Sequence, residues 1–174
     1  AATLLLGVEW GIWAGIGCSL VLFIQRSSQP HIAEVGRADN GHFRNITRLN
    51  VETLPNAVFL RIDESLYFAN VKHVEDHIMN RCNEDRELEH VVLLFSSVSS
   101  IDETAPESLK RLIDNLREAK ITLHLSDVKG MIRDQLKLTD IFDVLAPGKF
   151  FYTADEAMRF LQGDKEIVKT LHDV

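Results

Sequence analysis

The residues best placed to do chemistry lie in one run, Ser96-Ser97-Val98-Ser99-Ser100-Ile101-Asp102-Glu103-Thr104-Ala105-Pro106-Glu107-Ser108. It follows the apolar pentad Val91 to Phe95 and opens an amphipathic segment. In open α/β sheets, ligands and partners meet the protein at the carboxyl ends of strands. The free N–H groups of a helix start also favour anionic groups. Thr104 and Glu107 have the spacing of a capping box, and Pro106 sits in the first turn, where its missing N–H costs nothing. Helix initiation accounts for those three residues and leaves Asp102 and the serines unexplained. Beside that reading stands a functional one: Thr104 is a phosphorylatable or partner-facing hydroxyl, with Asp102 and Glu103 next to it. Ser96 to Ser100 could contact a phosphate, although a loop needs such hydrogen-bonding residues anyway.

Other constellations carry less. His73 and His77 are spaced i, i+4 and could face one metal, but no third ligand follows at a recognisable spacing, so they read as a solvated helix face. Glu84, Asp85, Glu87 and Glu89 mix with Arg81 and Arg86 and read as a solvated loop. There is no Gly-rich phosphate loop, no Gly-x-Ser-x-Gly and no Cys/His pair arranged for nucleophilic attack. The chain is expected to be no enzyme and to hold no cofactor and no metal.

The elements that must position Asp102 to Thr104 follow from periodicity. Val58 to Ile62 reads as a strand, with Leu66 to Ala69 as its partner across the turn Asp63-Glu64-Ser65. Asn70 is the expected cap of a helix from Val71 to about Cys82, whose stripe is Val71, Val74, Ile78 and Cys82. Val91 to Phe95 fits a strand buried on both faces. A helix from Ala105 to Ala119 buries Leu109, Leu112, Ile113 and Leu116. Ile121 to Leu125 is the next strand, Lys129 to Leu138 the next helix and Phe150 to Tyr152 a last short strand. The final helix has Thr153 as cap, Glu156 three residues on and Gly163 past its end. Strands separated by single helices imply mostly parallel pairing with right-handed crossovers. The expected fold is α/β, a mixed and mostly parallel sheet with about four helices. Residues 25–56 lack strong periodicity and read as a connection with one short strand near Phe43 to Leu49.

The N-terminus is different. Leu4 to Ile24 carries a single charge, Glu9. A helix of that length reaches roughly 30 Å, the hydrocarbon thickness of a bilayer. No basic start or small-residue cleavage site marks it as a signal peptide. Gly7, Gly11, Gly15 and Ser19 fall at steps of four, a strip of small residues that lets a neighbouring helix approach closely. Arg26, Arg37, Arg44 and Arg48 follow, which places the C-terminal side in the cytoplasm. With no initiator Met ahead of Ala1, the chain reads as a fragment or processed product.

Composition narrows the class. The 174 residues suffice for one domain with a sizeable core. The formal net charge is −7, and no Lys/Arg cluster appears, which argues against nucleic acid as a partner. Cys18 and Cys82 are too few and too far apart for a disulfide framework.

A strand, then Ile101-Asp102-Glu103-Thr104-Ala105, then an amphipathic helix resembles the signature loop of the STAS domain, shared by bacterial anti-sigma-factor antagonists and the sulfate permease (SulP) anion transporters. By position Thr104 matches the antagonists' phosphorylated Ser, Asp102 their Asp, and Glu103 stands where they have another Ser. Leu6-Gly7-Val8-Glu9-Trp10-Gly11-Ile12 with Gly15 resembles the last membrane helix of SulP proteins. Pro30-His31-Ile32-Ala33 with Gly36-Arg37 resembles their exit linker, and Phe43-Arg44-Asn45, Arg61-Ile62 and Leu66-Tyr67-Phe68-Ala69-Asn70 resemble the start and early strands of their domain. The resemblance implies a last transmembrane helix over 1–25, a linker over 26–42, a cytoplasmic STAS domain over 43–163 and a tail over 164–174. It further implies secondary active transport of sulfate or a related anion across the cell's inner (plasma) membrane, with the anion bound outside this chain. The domain would regulate and assemble: it would contact its own transmembrane domain, form a homodimer and meet a cytoplasmic regulatory protein. The alternative is a phospho-switch binding module of the antagonist type.

Overall fold

The computed structural model describes residues 8–39, 41–47 and 50–164. Helix α1 (Val8–Ser27) leads into β1 (Ile32–Arg37), β2 (Phe43–Asn45) and β3 (Ala57–Ile62). There follow α2 (Val71–Glu84), β4 (His90–Leu94), α3 (Ala105–Glu118), β5 (Thr122–Ser126), α4 (Gly130–Lys137), α5 (Ile141–Leu145), β6 (Phe150–Phe151) and α6 (Ala154–Leu161). One six-stranded sheet has the order β2-β1-β3-β4-β5-β6. β3 to β6 run parallel, and β1 is antiparallel to both its neighbours. The mixed, mostly parallel α/β sheet expected from the sequence is therefore the one formed.

Strand alternation sorts the core into two layers. Val58, Leu60, Ile62, Val91, Leu93, Leu123 and Leu125 face one side, where they meet Ile78 of α2, Leu112 and Leu116 of α3, Ile132 of α4 and Ile141 of α5. Ala57, Phe59, Val92 and Leu94 face the other, under Ala157 and Met158 of α6. Successive crossovers advance across the sheet in one direction and share one hand, so α2 to α5 all land on the same face. Among the described residues, α6 is the helix that packs on the other. Arg37 of β1 ties this layer together: its guanidinium donates to Glu52 at 2.7 Å and to Asp155 of α6 at 3.0 Å. Thr153 caps α6, its hydroxyl accepting from the Glu156 N–H at 3.2 Å, and the chain leaves through Gly163 at φ 86°. Thr153→Ala is expected to lower stability by about 1 kcal/mol, visible as a reduced urea midpoint at unchanged m-value.

Four expectations need correction. Leu66–Ala69 is no strand: Leu66 makes a single parallel bridge to Ile101, and the residues after it coil. Asn70 stands at the N-cap position of α2 without capping it. Its side chain instead donates to the Ser65 carbonyl at 2.8 Å and accepts from the Tyr67 N–H at 3.0 Å, closing a compact turn that extended backbone could not make. The stretch 26–42, read as a linker, supplies β1, a strand with neighbours on both sides. Beyond α1, the described residues form five helices where about four were expected; the extra one, α5, escaped notice because five residues are too few to show a helical period.

Helix α1 stands apart from the sheet. Trp10, Trp13, Ile16, Leu20, Leu22 and Phe23 are all more than half exposed. Gly11, Gly15 and Ser19 lie at helical spacing along it, with nothing within 4 Å of where a Gly15 Cβ would stand. Gly7 lies outside the described residues, as do the first residues of the expected membrane span. Among the described residues no helix is long and apolar enough to cross a membrane, so the span over Leu4 to Ile24 is not shown.

Candidate functional site: the loop before α3

The loop between β4 and α3 is held at the carboxyl edge of the sheet by the loop after β3. The Leu66 N–H donates to the Ser100 carbonyl, and the Asp102 N–H donates back to the Leu66 carbonyl, both at 3.1 Å. The Ser100 N–H reaches the Ser65 hydroxyl at 3.2 Å. Val98 and Ile101 anchor the loop in the core.

Asp102 is the hub. Its Oδ2 accepts from the Phe68 N–H at 2.8 Å. Its Oδ1 accepts from the Thr104 N–H at 2.9 Å, the Thr104 hydroxyl at 2.7 Å and the Ala105 N–H at 3.1 Å. Burial alone would raise its pKa, but the Thr104 hydroxyl and the three amides together hold it below the usual carboxylate value. Asp102 thus stays charged and satisfies the start of α3.

The expected capping box is not formed. Thr104 makes no side-chain cap bond, because its hydroxyl is spent on Asp102. Glu107 pairs with Lys110 at 2.9 Å, and Lys110 also pairs with Asp140. Thr104 and Glu103 are both exposed. Of the three residues singled out, the structure joins Asp102 to Thr104 and leaves Glu103 outside their network. The serines divide: Ser99 lies 3.5 Å from the Lys129 ammonium, and Ser100 binds through its backbone.

A groove of about 420 Å³ runs beside the loop, between Ile101, Asp102 and Pro106 on one wall and Gln135, Leu138 and Thr139 on the other. Phe68 at 74% and Leu138 at 88% exposure flank this region. Neither stood out in the sequence. Phe68 looked like one residue of an apolar strand, and Leu138 like the last residue of a helix stripe; only the Asn70 turn and the end of α4 turn them outward. A larger hollow of about 550 Å³ surrounds Arg37, but the guanidinium there is already neutralised by Glu52 and Asp155.

Nothing in this arrangement converges on a reacting atom. Among the described residues no group of three His, Cys, Asp or Glu could hold a metal. His77 is pushed down by burial and by His73. Cys82 is buried, its thiol pushed up to about 11 by burial, so it is a packing residue rather than a nucleophile.

A mixed sheet with most of its helices stacked on one face and a carboxylate-anchored loop at the carboxyl edge defines a small class of α/β domain. The chain belongs to the STAS domain family, whose model matches residues 48–157. It is 30% identical over 169 residues to "Sulfate transporter 4.1, chloroplastic" of Arabidopsis thaliana, covering 90% of this chain and 25% of that protein. Among solved structures it resembles the murine Solute Carrier 26 family member A9 anion transporter in the inward-facing state, with TM-score 0.77, 16% identity and coverage of 94% of this chain and 27% of that one. A sulfate transporter family protein from Wolinella succinogenes gives TM-score 0.55 at 18% identity, covering 76% of this chain and 97% of that one. The chain spans about a quarter of the length of the curated relatives it matches. These relatives are transporters and STAS domains rather than enzymes.

Proposed function

We propose that this chain is the cytoplasmic end of a secondary active anion transporter. In this reading Leu4 to Ile24 is the last membrane helix, and the STAS domain beyond it sits on the cytoplasmic side of the inner (plasma) membrane, where it supports a homodimer and tunes transport. Sulfate is the first anion to test, since the similar proteins carry that name. The anion binds in the membrane part, outside this chain. The observation that carries the reading is α1: it exposes apolar side chains on every side and joins a folded domain through residues 28–31 alone. Contiguous exposed apolar surface of that kind marks a partner or a membrane.

Thr104 supplies the regulatory element. Its hydroxyl is exposed and 2.7 Å from the Asp102 carboxylate. A phosphate there would set two anions against each other and break the bond that holds the loop.

The test is labelled-sulfate uptake into vesicles carrying the full-length protein. Removing residues 32–174 is expected to reduce uptake severely, and full uptake without them would end the regulatory role. Thr104→Glu should change uptake while Thr104→Val should not; identical behaviour of the two removes the switch.

A further inference from the structure

On the face where α6 packs, the sheet is open at one corner. A cavity of about 400 Å³ lies there, between the start of α6, the residue after β5 and the strand β2. It sits at the carboxyl ends of β3, β4 and β5, where open α/β sheets receive ligands. Leu94, the last residue of β4, and Phe43 of β2 give it apolar lining.

The β5 side holds polar groups that the fold does not satisfy. Asp127 lines the cavity, and its Oδ2 is buried without a hydrogen-bond partner. Ser126 is the register partner of Leu94, so the pleat turns its side chain to the same face. Ser126 is 0% exposed, and its hydroxyl, beside Asp127, also lacks a well-formed hydrogen bond. Buried polar atoms without partners are rare in folded proteins, and each calls for an explanation. Here two of them, on consecutive residues, meet at a cavity. Asp127 also stands at φ 56°, a left-handed conformation that is costly for a residue other than glycine. The Thr153 hydroxyl lines the same space; it accepts from the Glu156 N–H and keeps its own proton to donate.

The β2 side is cationic. Arg44 and Arg61 both line it. Arg61 is matched by Asp63, whereas Arg44 is exposed and enters no ion pair among the described residues. β3 lies two strand spacings from β5, about 10 Å, so a ligand that meets both sides is elongated.

We propose that this cavity binds a phosphorylated polyol of sugar-phosphate size, its phosphate on Arg44 and Arg61 and its hydroxyls on Asp127 and Ser126. Guanidinium forks match phosphate oxygens. Polyol hydroxyls both donate and accept, which suits an unpartnered carboxylate oxygen next to an unpartnered hydroxyl. An inorganic anion would satisfy the arginines and leave the β5 side as it is. The site is separate from the Asp102 loop and does not rest on the transporter reading.

The probe is glucose 6-phosphate, titrated calorimetrically into the full-length protein, with inorganic phosphate and glucose as its two halves. Glucose 6-phosphate is expected to bind with a Kd of about 1 mM or tighter, and each half about tenfold more weakly or worse. Ser126→Ala removes a buried hydroxyl that has no partner, so the unfolding temperature should hold or rise. The same variant should weaken glucose 6-phosphate about tenfold. Asp127→Asn, which tolerates left-handed backbone, should weaken glucose 6-phosphate and leave phosphate unchanged. Arg44→Ala should weaken both; Arg44 is exposed, so this variant folds and reports even where a buried change does not. Lys120→Ala, on the opposite edge, should alter neither. Absence of binding up to about 10 mM overturns the proposal. So does inorganic phosphate that binds as tightly as the sugar phosphate, or binding that Ser126→Ala, Asp127→Asn and Arg44→Ala all leave intact.

Discussion

Replacing Asp102 with alanine is expected to lower the stability of the domain by about 3 kcal/mol, since it strands donors that met a charged acceptor. Four donors converge on this carboxylate: the N–H groups of Phe68, Thr104 and Ala105 and the hydroxyl of Thr104. Water can replace part of the loss at exposed Thr104, and much less at buried Ala105. Asp102→Asn keeps one acceptor oxygen for the start of α3 but turns an amide toward the Phe68 N–H, and should cost about half as much. Urea unfolding measures the loss, and amide exchange at Phe68, Thr104 and Ala105 locates it. If Asp102→Ala unfolds at the parent's urea concentration, the loop is not organised by this side chain.

The second large effect is a loss of stability in mild acid, and it belongs to His124. This ring is 2% exposed, packed between Phe151 and Phe160 at centroid distances of 5.6 and 6.3 Å. Its Nδ1 accepts from the Lys149 N–H at 3.2 Å, so the proton sits on Nε2, which faces His90 Nδ1 at 3.2 Å. No acceptor remains for a second proton. Burial first, then His90 and Lys149, push His124 down to about 3, and burial lowers His90 as well. In the unfolded chain His124 takes up a proton near its ordinary value of about 6.5; in the folded one it stays neutral. Its contribution is therefore complete above the unfolded value and is lost as the pH falls from there toward 3. At about pH 5 the loss from His124 is about 2 kcal/mol, at about 1.4 kcal/mol per unit. The carboxylates held low, Glu52, Asp63, Asp102 and Asp140, lose their contribution only in stronger acid, so the two windows separate. His124→Gln, which keeps an acceptor for Lys149, should flatten the dependence between about pH 6.5 and about pH 5. An unchanged slope would assign the acid sensitivity elsewhere.

Most strands and helices were legible because burial imposes a period. Val91 to Phe95 had to be a strand covered on both faces, and Leu109, Leu112, Ile113 and Leu116 had to share one side of a helix. Thr153, Glu156 and Gly163 marked the ends of α6 through local chemistry alone. These are near-neighbour effects that act within a few residues, and there the sequence by itself determined the outcome. The importance of Asp102 could also be read from its place before a helix and after a buried strand.

What remained was decided between residues distant in the chain. β1 has no strong period, and it becomes a strand because β2 and β3 supply hydrogen-bond partners on both sides. Leu66–Ala69 has strand-like residues, yet Asn70 folds it into a turn that delivers the Phe68 N–H to Asp102. The Asp102 carboxylate offered the Thr104 hydroxyl a closer partner than the local capping box. His124 read as one more strand residue until β4, β6 and α6 closed around it. In each case local preference amounts to about 1 kcal/mol or less, and one long-range hydrogen bond to a charged group, or one buried ring, outweighs it. The packing of the whole domain chose among the options that the local sequence left open.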